Sequence, residues 1–207
     1  SRGGRESRRE MRILSLEVQN DGDKSMTIFD SPNDVKGTAF LSFTHNNADD
    51  DQWLYLPALK RVKRIASKNK SGPFMGSEFS YEDLSSFEVE EYDYRWLRDE
   101  ELNGELCFVV EIIPRDKYSG YTREIVWIDQ EHYRAIKIEF YDRKDGVLKT
   151  LTLSDYQLHL DKFWRPAKQT MQNERNGKST EVLLRNYQFR SGLDEQDFTE
   201  NSLKRAR

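Results

Sequence analysis

The chain has 207 residues, which suits one domain with a sizeable core. Its 33 basic and 37 acidic residues give a net charge of −4, and this near balance argues against a general nucleic-acid-binding protein. No apolar run approaches the roughly 18–20 residues that a membrane-spanning helix needs, so no transmembrane segment is predicted. A single cysteine, Cys107, excludes an intrachain disulfide, and its apolar surroundings (LCFVVEII) predict a buried thiol.

Alternating and apolar runs predict strands along most of the chain. The predicted strands cover residues 11–18, 24–29, 37–45, 52–57, 87–97, 105–113, 122–129, 134–142 and 147–153, followed by FWRPAKQTMQ and STEVLLRNYQF. Asp145-Gly146 and Asn176-Gly177 are hairpin signals between neighbouring strands. About ten strands cannot stay flat, so one mainly β domain over residues 1–207 is predicted, as a barrel, a bent half-barrel or a sandwich.

Helical signals are few. The run Ser80-Tyr81-Glu82-Asp83 fits a capping box and predicts a short helix over residues 80–87. A second short helix is predicted over residues 194–205.

The residue types that catalysis or metal binding requires are scattered. His45, His132 and His159 lie in three different segments, without a paired carboxylate or a second ligand at helical or strand spacing. No phosphate-binding loop or dinucleotide fingerprint is present. The sequence therefore predicts no catalytic residues, no metal site and no cofactor, and favours a protein that is not an enzyme.

The stretch LKRVKRIA (residues 59–66) concentrates positive charge and has two interpretations. As a strand, it places Leu59, Arg61, Lys63 and Ile65 on one face and Lys60, Val62 and Arg64 on the other. It could be a solvated strand whose long stems cover apolar neighbours. Alternatively, Lys60, Arg61, Lys63 and Arg64 form a cationic rim that meets phosphate headgroups or an acidic partner.

The stretch GPFMGSEF (residues 72–79) combines helix and strand breakers with large apolar side chains. Leaving Phe74, Met75 and Phe79 in water would cost roughly 1.5–3 kcal/mol each. They are therefore expected to belong either to a locally packed loop or to a mobile apolar flap over a cavity.

Three longer stretches carry a family resemblance: GTAFL, DDQWLYLPALKRVKRI and FMGSEFSYEDL. Together they resemble the outer-membrane lipoprotein-sorting protein family, a branch of the LolA/LolB-like superfamily often found beside exporters of the resistance-nodulation-division (RND) type. PRDKYSGY, WID and DFTENSL extend the resemblance over residues 11–203. Family members carry a signal peptide and an N-terminal helical segment, and both are expected to be missing from a chain that begins at Ser1.

The resemblance implies an incomplete, strongly curved antiparallel β-barrel, with short helices or loops forming a lid over its concave face. It also implies a periplasmic carrier that holds lipid, or the acyl anchor of a lipoprotein, in a hydrophobic cavity. The predicted ligand-binding residues are Phe40, Trp53, Tyr55, Val62, Ile65, Phe74, Met75 and Phe79. Lys60, Arg61, Lys63 and Arg64 would contact headgroups or a partner, and Arg61 or Arg64 would latch the lid.

An alternative function uses the same basic stretch differently. The chain would be a non-enzymatic accessory module that docks on an RND-type exporter and binds no lipid. The carrier predicts an apolar pocket, whereas the docking module predicts a flat charged patch whose charge reversal abolishes docking.

Overall fold

A computed structural model describes residues 6–46 and 48–205 of the chain. The strands of these residues are, in chain order, β1 (Glu10–Leu16), β2 (Lys24–Ser31), β3 (Ala39–Phe43), β4 (Asp51–Leu56), β5 (Arg61–Ile65), β6 (Tyr92–Leu102), β7 (Glu105–Pro114), β8 (Arg123–Asp129), β9 (Ala135–Tyr141), β10 (Val147–His159), β11 (Phe163–Asn173) and β12 (Ser179–Leu183). One short α-helix, α1, spans Glu200–Arg205. The mainly β prediction is confirmed.

The strands form two antiparallel sheets. One has the order β1-β2-β3-β4-β5, and the other runs from β12 through β11, β10, β9, β8 and β7 to β6. Neighbours in each sheet are consecutive in the chain, as short hairpin connections require. Neither sheet closes into a barrel, in agreement with the predicted incomplete barrel.

Two compact units divide the described residues. Unit 1 contains the five-stranded sheet and draws on Ser1–Asn69, Leu84–Glu88 and Arg190–Arg207. Unit 2 contains the seven-stranded sheet and draws on Lys70–Asp83 and Val89–Phe189. The assignment of residues 1–207 to one domain stays a prediction.

The core of unit 1 lies between its sheet and the C-terminal residues. Phe198 and Leu203 are 1% and 0% exposed, and they pack against Met26, Ile28 and Leu41. The Thr199 hydroxyl oxygen accepts a hydrogen bond from the Ser202 backbone N–H at 3.1 Å, which satisfies one free donor in the first turn of α1. The helix predicted over residues 194–205 is thus present as a 3₁₀ turn (Glu195–Asp197) followed by α1.

The helix predicted over residues 80–87 is reduced to one 3₁₀ turn, Glu82–Leu84. Asp83 does accept the Ser80 backbone N–H at 2.6 Å, as a capping residue would. However, the same carboxylate also bonds Tyr121 and Lys149 of the seven-stranded sheet. These tertiary bonds hold the segment down before a second turn forms. Strand β6 likewise begins later than predicted, because Val89–Glu91 forms another 3₁₀ turn.

Two apolar clusters are formed by described residues of unit 2. Phe79, Tyr121, Phe140 and Met171 form one, and Cys107, Val109, Ile125 and Trp127 form the other. Cys107 is fully buried, as predicted, and burial raises the pKa of its thiol. It therefore acts as a small core residue.

Candidate functional site

The residues between β5 and β6 include a tight turn that belongs to unit 2, and residues 70–83 are called the 70–83 segment below. The Phe74 N–H donates to the Phe79 carbonyl at 2.7 Å, and Pro73 forms an isolated antiparallel β-bridge with Ser80. Met75 and Gly76 have positive φ angles of 50° and 75°, as a chain reversal of this length requires. GPFMGSEF thus has a defined local structure.

One face of the seven-stranded sheet carries a continuous line of apolar side chains, called the apolar row. Directly paired residues in antiparallel strands lie on the same face, so the register places six side chains side by side. From β6 to β11 they are Trp96, Val110, Val126, Ile138, Leu151 and Met171. Such a line is the lining expected for an elongated apolar ligand.

The apolar row is covered at one end and exposed at the other. Phe79 of the 70–83 segment packs with Tyr121, Phe140 and Met171, over the β9–β11 end, where Met171 is 0% exposed. At the β6 end, Trp96 is 62% exposed. Aromatic side chains of this size are costly to leave in water, which marks the open end as a contact surface.

Hydrogen bonds fix the 70–83 segment to the sheet and its loops. The Glu78 backbone N–H donates to Thr180 Oγ1 at 2.9 Å, and its carboxylate accepts from Asn173 Nδ2 at 2.8 Å. Further along, Glu82 accepts from Ser119 Oγ and from the Gly120 N–H, each at 3.0 Å. These bonds join the 70–83 segment to β11, β12 and the loop between β7 and β8.

Gly120 permits the close approach of this segment. A Cβ atom on Gly120 would lie 2.6 Å from Ser71 Cβ and 2.7 Å from Glu82 Oε1. Both distances are shorter than van der Waals contact allows, so only glycine fits without displacing the segment.

A buried ion pair provides the strongest single link. Lys149 Nζ lies 2.5 Å from Asp83 Oδ2, and the two side chains are 5% and 6% exposed. Lys149 also donates to the Glu78 carbonyl at 3.3 Å, while the Tyr121 hydroxyl donates to Asp83 Oδ1 at 2.7 Å. Burial, reinforced by Asp83 and Glu82, raises the pKa of Tyr121 well above its usual value, which keeps the phenol protonated as a donor.

A second row on the same face combines aromatic and ionisable residues. It runs Tyr94, Ile112, Glu124, Phe140 and Lys149 from β6 to β10. Burial, with the nearby charges of Asp83 and Glu82, raises the pKa of Glu124 to about 8, against the lowering effect of Lys149. Glu124 is therefore mainly a neutral carboxylic acid at pH 7.

The sequence analysis did not identify the cluster of ionisable residues formed by Asp83, Lys149 and Glu124. The partners Asp83 and Lys149 are 66 residues apart, so no local spacing connects them. The available signal was the lone Lys149 in VLKTLTL, on the face that the strand alternation assigns to the core.

The predicted ligand-binding residues fall in both units. In unit 1, Phe40 and Ile65 are buried on one face of the five-stranded sheet, whereas Trp53, Tyr55 and Val62 lie on the other and pack against the cluster around Phe198 and Leu203. In unit 2, Phe74 and Phe79 are buried and Met75 is half-buried at the turn. Their contact with a ligand stays a prediction.

The predicted basic contact residues lie at the edge strand β5 of unit 1. Arg61, Lys63 and Arg64 are exposed, and Lys60 precedes the strand with a positive φ of 48°. Arg64 forms an ion pair with Asp51. Within unit 2, the cation that bonds the 70–83 segment is Lys149.

Among the described residues, no helix is long and apolar enough to cross a membrane. The same residues include no group of three or more histidine, cysteine or acidic side chains placed to hold a metal ion. The histidines are engaged elsewhere: His45 bonds Asp21 and Asp51, His132 stacks on Trp164, and His159 contacts Tyr187 and Phe189.

The two open antiparallel sheets have a LolA-like fold, and a comparison with a solved structure shows it. A LolA superfamily protein from Nitrosomonas europaea is 19% identical with a TM-score of 0.65, covering 93% of this chain and 89% of its own, which shows the fold alone. No protein of the curated set matches the chain.

Closer similarities establish the family. A domain from Vibrio parahaemolyticus, described as an outer membrane lipoprotein-sorting protein, is 60% identical over 95% of this chain and 83% of its own, with a TM-score of 0.93. A DUF1329 family protein from Desulfovibrio piger is 30% identical over 98% of this chain and 87% of its own, also with a TM-score of 0.93. A family model described as "Uncharacterized protein" matches residues 21–205. The chain belongs to the outer-membrane lipoprotein-sorting protein family, which confirms the resemblance found in the sequence.

Proposed function

We propose that this chain is a periplasmic carrier that shields the acyl chain of a lipid or lipoprotein and takes part in sorting to the outer membrane. The observation that carries the proposal is the apolar row, covered by Phe79 at one end and exposed at Trp96 at the other. The name of the Vibrio domain supports the same role.

The dimensions of the row suit a fatty chain. Six neighbouring strands at about 4.8 Å spacing give a line of about 24 Å. An acyl tail extends over about 15 Å, which is half of a bilayer's hydrocarbon core of about 30 Å. Each buried methylene contributes about 0.8 kcal/mol, so partial occupation of the row gives useful affinity without any covalent step.

Loading would begin at the exposed end and proceed toward the covered end. Trp96 offers the first apolar contact, and Phe79 holds the β9–β11 end of the row until a ligand displaces it. Displacement requires the 70–83 segment to move and the Lys149–Asp83 pair to break. The segment therefore acts as the lid of the carrier in this proposal.

Lipid recovery and lipid titration test the proposal together. The purified protein is extracted with organic solvent for mass spectrometry and is also titrated with a fluorescent fatty acid. We expect recovered acyl lipid and saturable binding. Trp96→Asp places a charge on the apolar row, and we expect it to weaken binding by about tenfold or more.

Leu183→Asp is the matched control, because Leu183 is 50% exposed on β12 and alternates with Val182, which packs into the apolar cluster. Its fatty-acid affinity should match that of the unmodified chain. If no lipid is recovered and no titration saturates, the carrier is rejected. The docking module would then be tested by charge reversal at Arg61 and Lys63.

A further inference from the structure

A carboxylic acid sits on the apolar face without a partner. Glu124 lies between Ile112 and Phe140 in the second row and is 8% exposed. Throughout residues 6–46 and 48–205, its carboxyl group has no hydrogen bond and no ion pair. A mostly buried carboxyl group whose oxygens have no protein partner is free to bond a polar group of a ligand.

The groups that face Glu124 leave negative charge in excess. From the 70–83 segment come Asp83, which is paired with Lys149 of β10, and Glu82, which accepts hydrogen bonds from Ser119 and Gly120. From β6 comes Tyr94, whose pKa is raised by burial and by nearby carboxylates including Glu124. Asp83, Glu82 and Glu124 thus share the ammonium group of Lys149. Lys70, which lowers the pKa of Glu82, is itself paired with Asp116, so a further cation would complement the site.

We propose that Glu124 recognises a positively charged amine carried on an apolar chain, such as the aminoalkyl headgroup or free amino group of an acylated ligand. This inference rests on the proposed carrier function and names the polar part of its ligand. The acyl chain would lie along the open β6 end of the apolar row, so that Asp83 and Glu82 of the 70–83 segment stay in place. The ammonium would reach Glu124 from the same end beside Tyr94, which is 42% exposed.

Binding of an ammonium group would change the protonation of the site. The free carboxyl is mostly protonated at pH 7, since burial and neighbouring carboxylates raise the pKa of Glu124 to about 8. An ammonium ion within hydrogen-bond distance favours the carboxylate, so the carboxyl proton leaves to solvent as the ion pair forms. Neutral and anionic ligands of the same chain length would release no proton.

Calorimetric titration with three amphiphiles of equal chain length tests the inference: dodecylammonium, dodecanol and dodecanoate. Titrations at pH 7 in two buffers with different ionisation heats report the number of protons released. We expect dodecylammonium to bind at least about tenfold more tightly than dodecanol and to release close to one proton. At pH 9, where Glu124 is already ionised, the release should vanish while the preference for the amine persists.

Glu124→Gln keeps the shape of the side chain and removes its charge. We expect this variant to bind dodecanol normally while the amine preference and the proton release are lost. Glu131→Gln is the control, because the Glu131 side chain is 83% exposed at the β8–β9 turn and should leave both quantities unchanged.

The outcomes separate this inference from the carrier function. Equal affinities for dodecylammonium and dodecanol, without proton release, would overturn the role of Glu124 and leave the carrier function standing. Preferential binding of dodecanoate would also overturn it. If none of the three amphiphiles binds, the proposed carrier function and this inference fail together.

Discussion

Lys149 Nζ and Asp83 Oδ2 are 2.5 Å apart, and this ion pair joins the 70–83 segment to the centre of the seven-stranded sheet. Lys149→Met would leave a buried carboxylate without its cation, which costs about 3–5 kcal/mol. We expect lower stability in urea unfolding. We also expect the substitution to speed up hydrogen exchange in residues 70–83 more than in β7 and β8. Unchanged exchange in the segment would contradict the role of Lys149 as its main link.

A second ion pair provides the control for this substitution. Lys168 and Glu181 are also paired across neighbouring strands, but their side chains are 36% and 48% exposed. Exposed pairs contribute little because water solvates each charge separately. Lys168→Met should therefore leave both the urea midpoint and the exchange pattern close to those of the unmodified chain.

The raised pKa of Glu124 predicts that the stability of the folded chain falls as pH rises through the neutral range. The pKa of Glu124 is raised from 4.5 to about 8, so the folded chain holds a proton that the unfolded chain releases above pH 4.5. The contribution of this group to stability therefore declines between about pH 4.5 and pH 8 and then levels off. Glu124→Gln removes the decline, which amounts to a few kcal/mol.

Urea unfolding at pH 5, 7 and 9 checks this prediction. The stability difference between Glu124→Gln and the unmodified chain should grow in favour of the variant from pH 5 to pH 9. A difference that stays constant with pH would show that the carboxyl group is ionised in both states. The comparison cancels the other titrating groups, because they are shared by both chains.

His45 in unit 1 is a second ionisable group, and its titration should be independent of that of Glu124. Burial lowers the pKa of His45, but its bonds to Asp21 at 2.9 Å and Asp51 at 3.4 Å outweigh this effect, so the pKa is raised above 6.5. Its stabilising contribution is fully present below pH 6.5 and is lost as pH rises through the raised pKa. NMR titration of the imidazole should give a midpoint above 6.5, and Asp21→Asn should lower that midpoint.

Because there is no room for a side chain at Gly120, a single methyl group added there should displace the 70–83 segment. Gly120→Ala would push against Ser71 and Glu82, at a cost of about 1–3 kcal/mol. We expect faster hydrogen exchange in residues 70–83 and higher affinity for a fluorescent fatty acid, since a loosened segment exposes more of the apolar row. Gly146→Ala is the control, because a Cβ at Gly146 meets no atom within 4 Å.

Strand alternation made much of this fold predictable from the sequence. In YDYRW (residues 92–96), alternation predicts that Tyr92, Tyr94 and Trp96 share one face of the strand, and the sheet register confirms it. The same alternation also separates Phe40 from Trp53, which is paired with Leu41 rather than with Phe40. The grouping of these two residues in one predicted cavity rested on the family resemblance and not on strand geometry.

The link between the 70–83 segment and the sheet could not be predicted in the same way. Asp83 reaches Lys149 and Tyr121 only after five strands have been laid side by side. Local patterns describe the faces of each strand, whereas these contacts depend on the register of several strand pairs at once. The sequence also left GPFMGSEF open between a locally packed loop and a mobile flap, because hydrogen bonds that order it come from residues 173 and 180.

The burial of Cys107 has a practical consequence for studying these movements. As the sole cysteine, 0% exposed and with a raised thiol pKa, it should resist maleimide and methanethiosulfonate reagents in the native protein. Ser71→Cys, a nearly isosteric change at an exposed residue of the 70–83 segment, would then supply the single reactive position. A spin label or fluorophore attached there would report the opening of the 70–83 segment directly, in an otherwise unmodified chain.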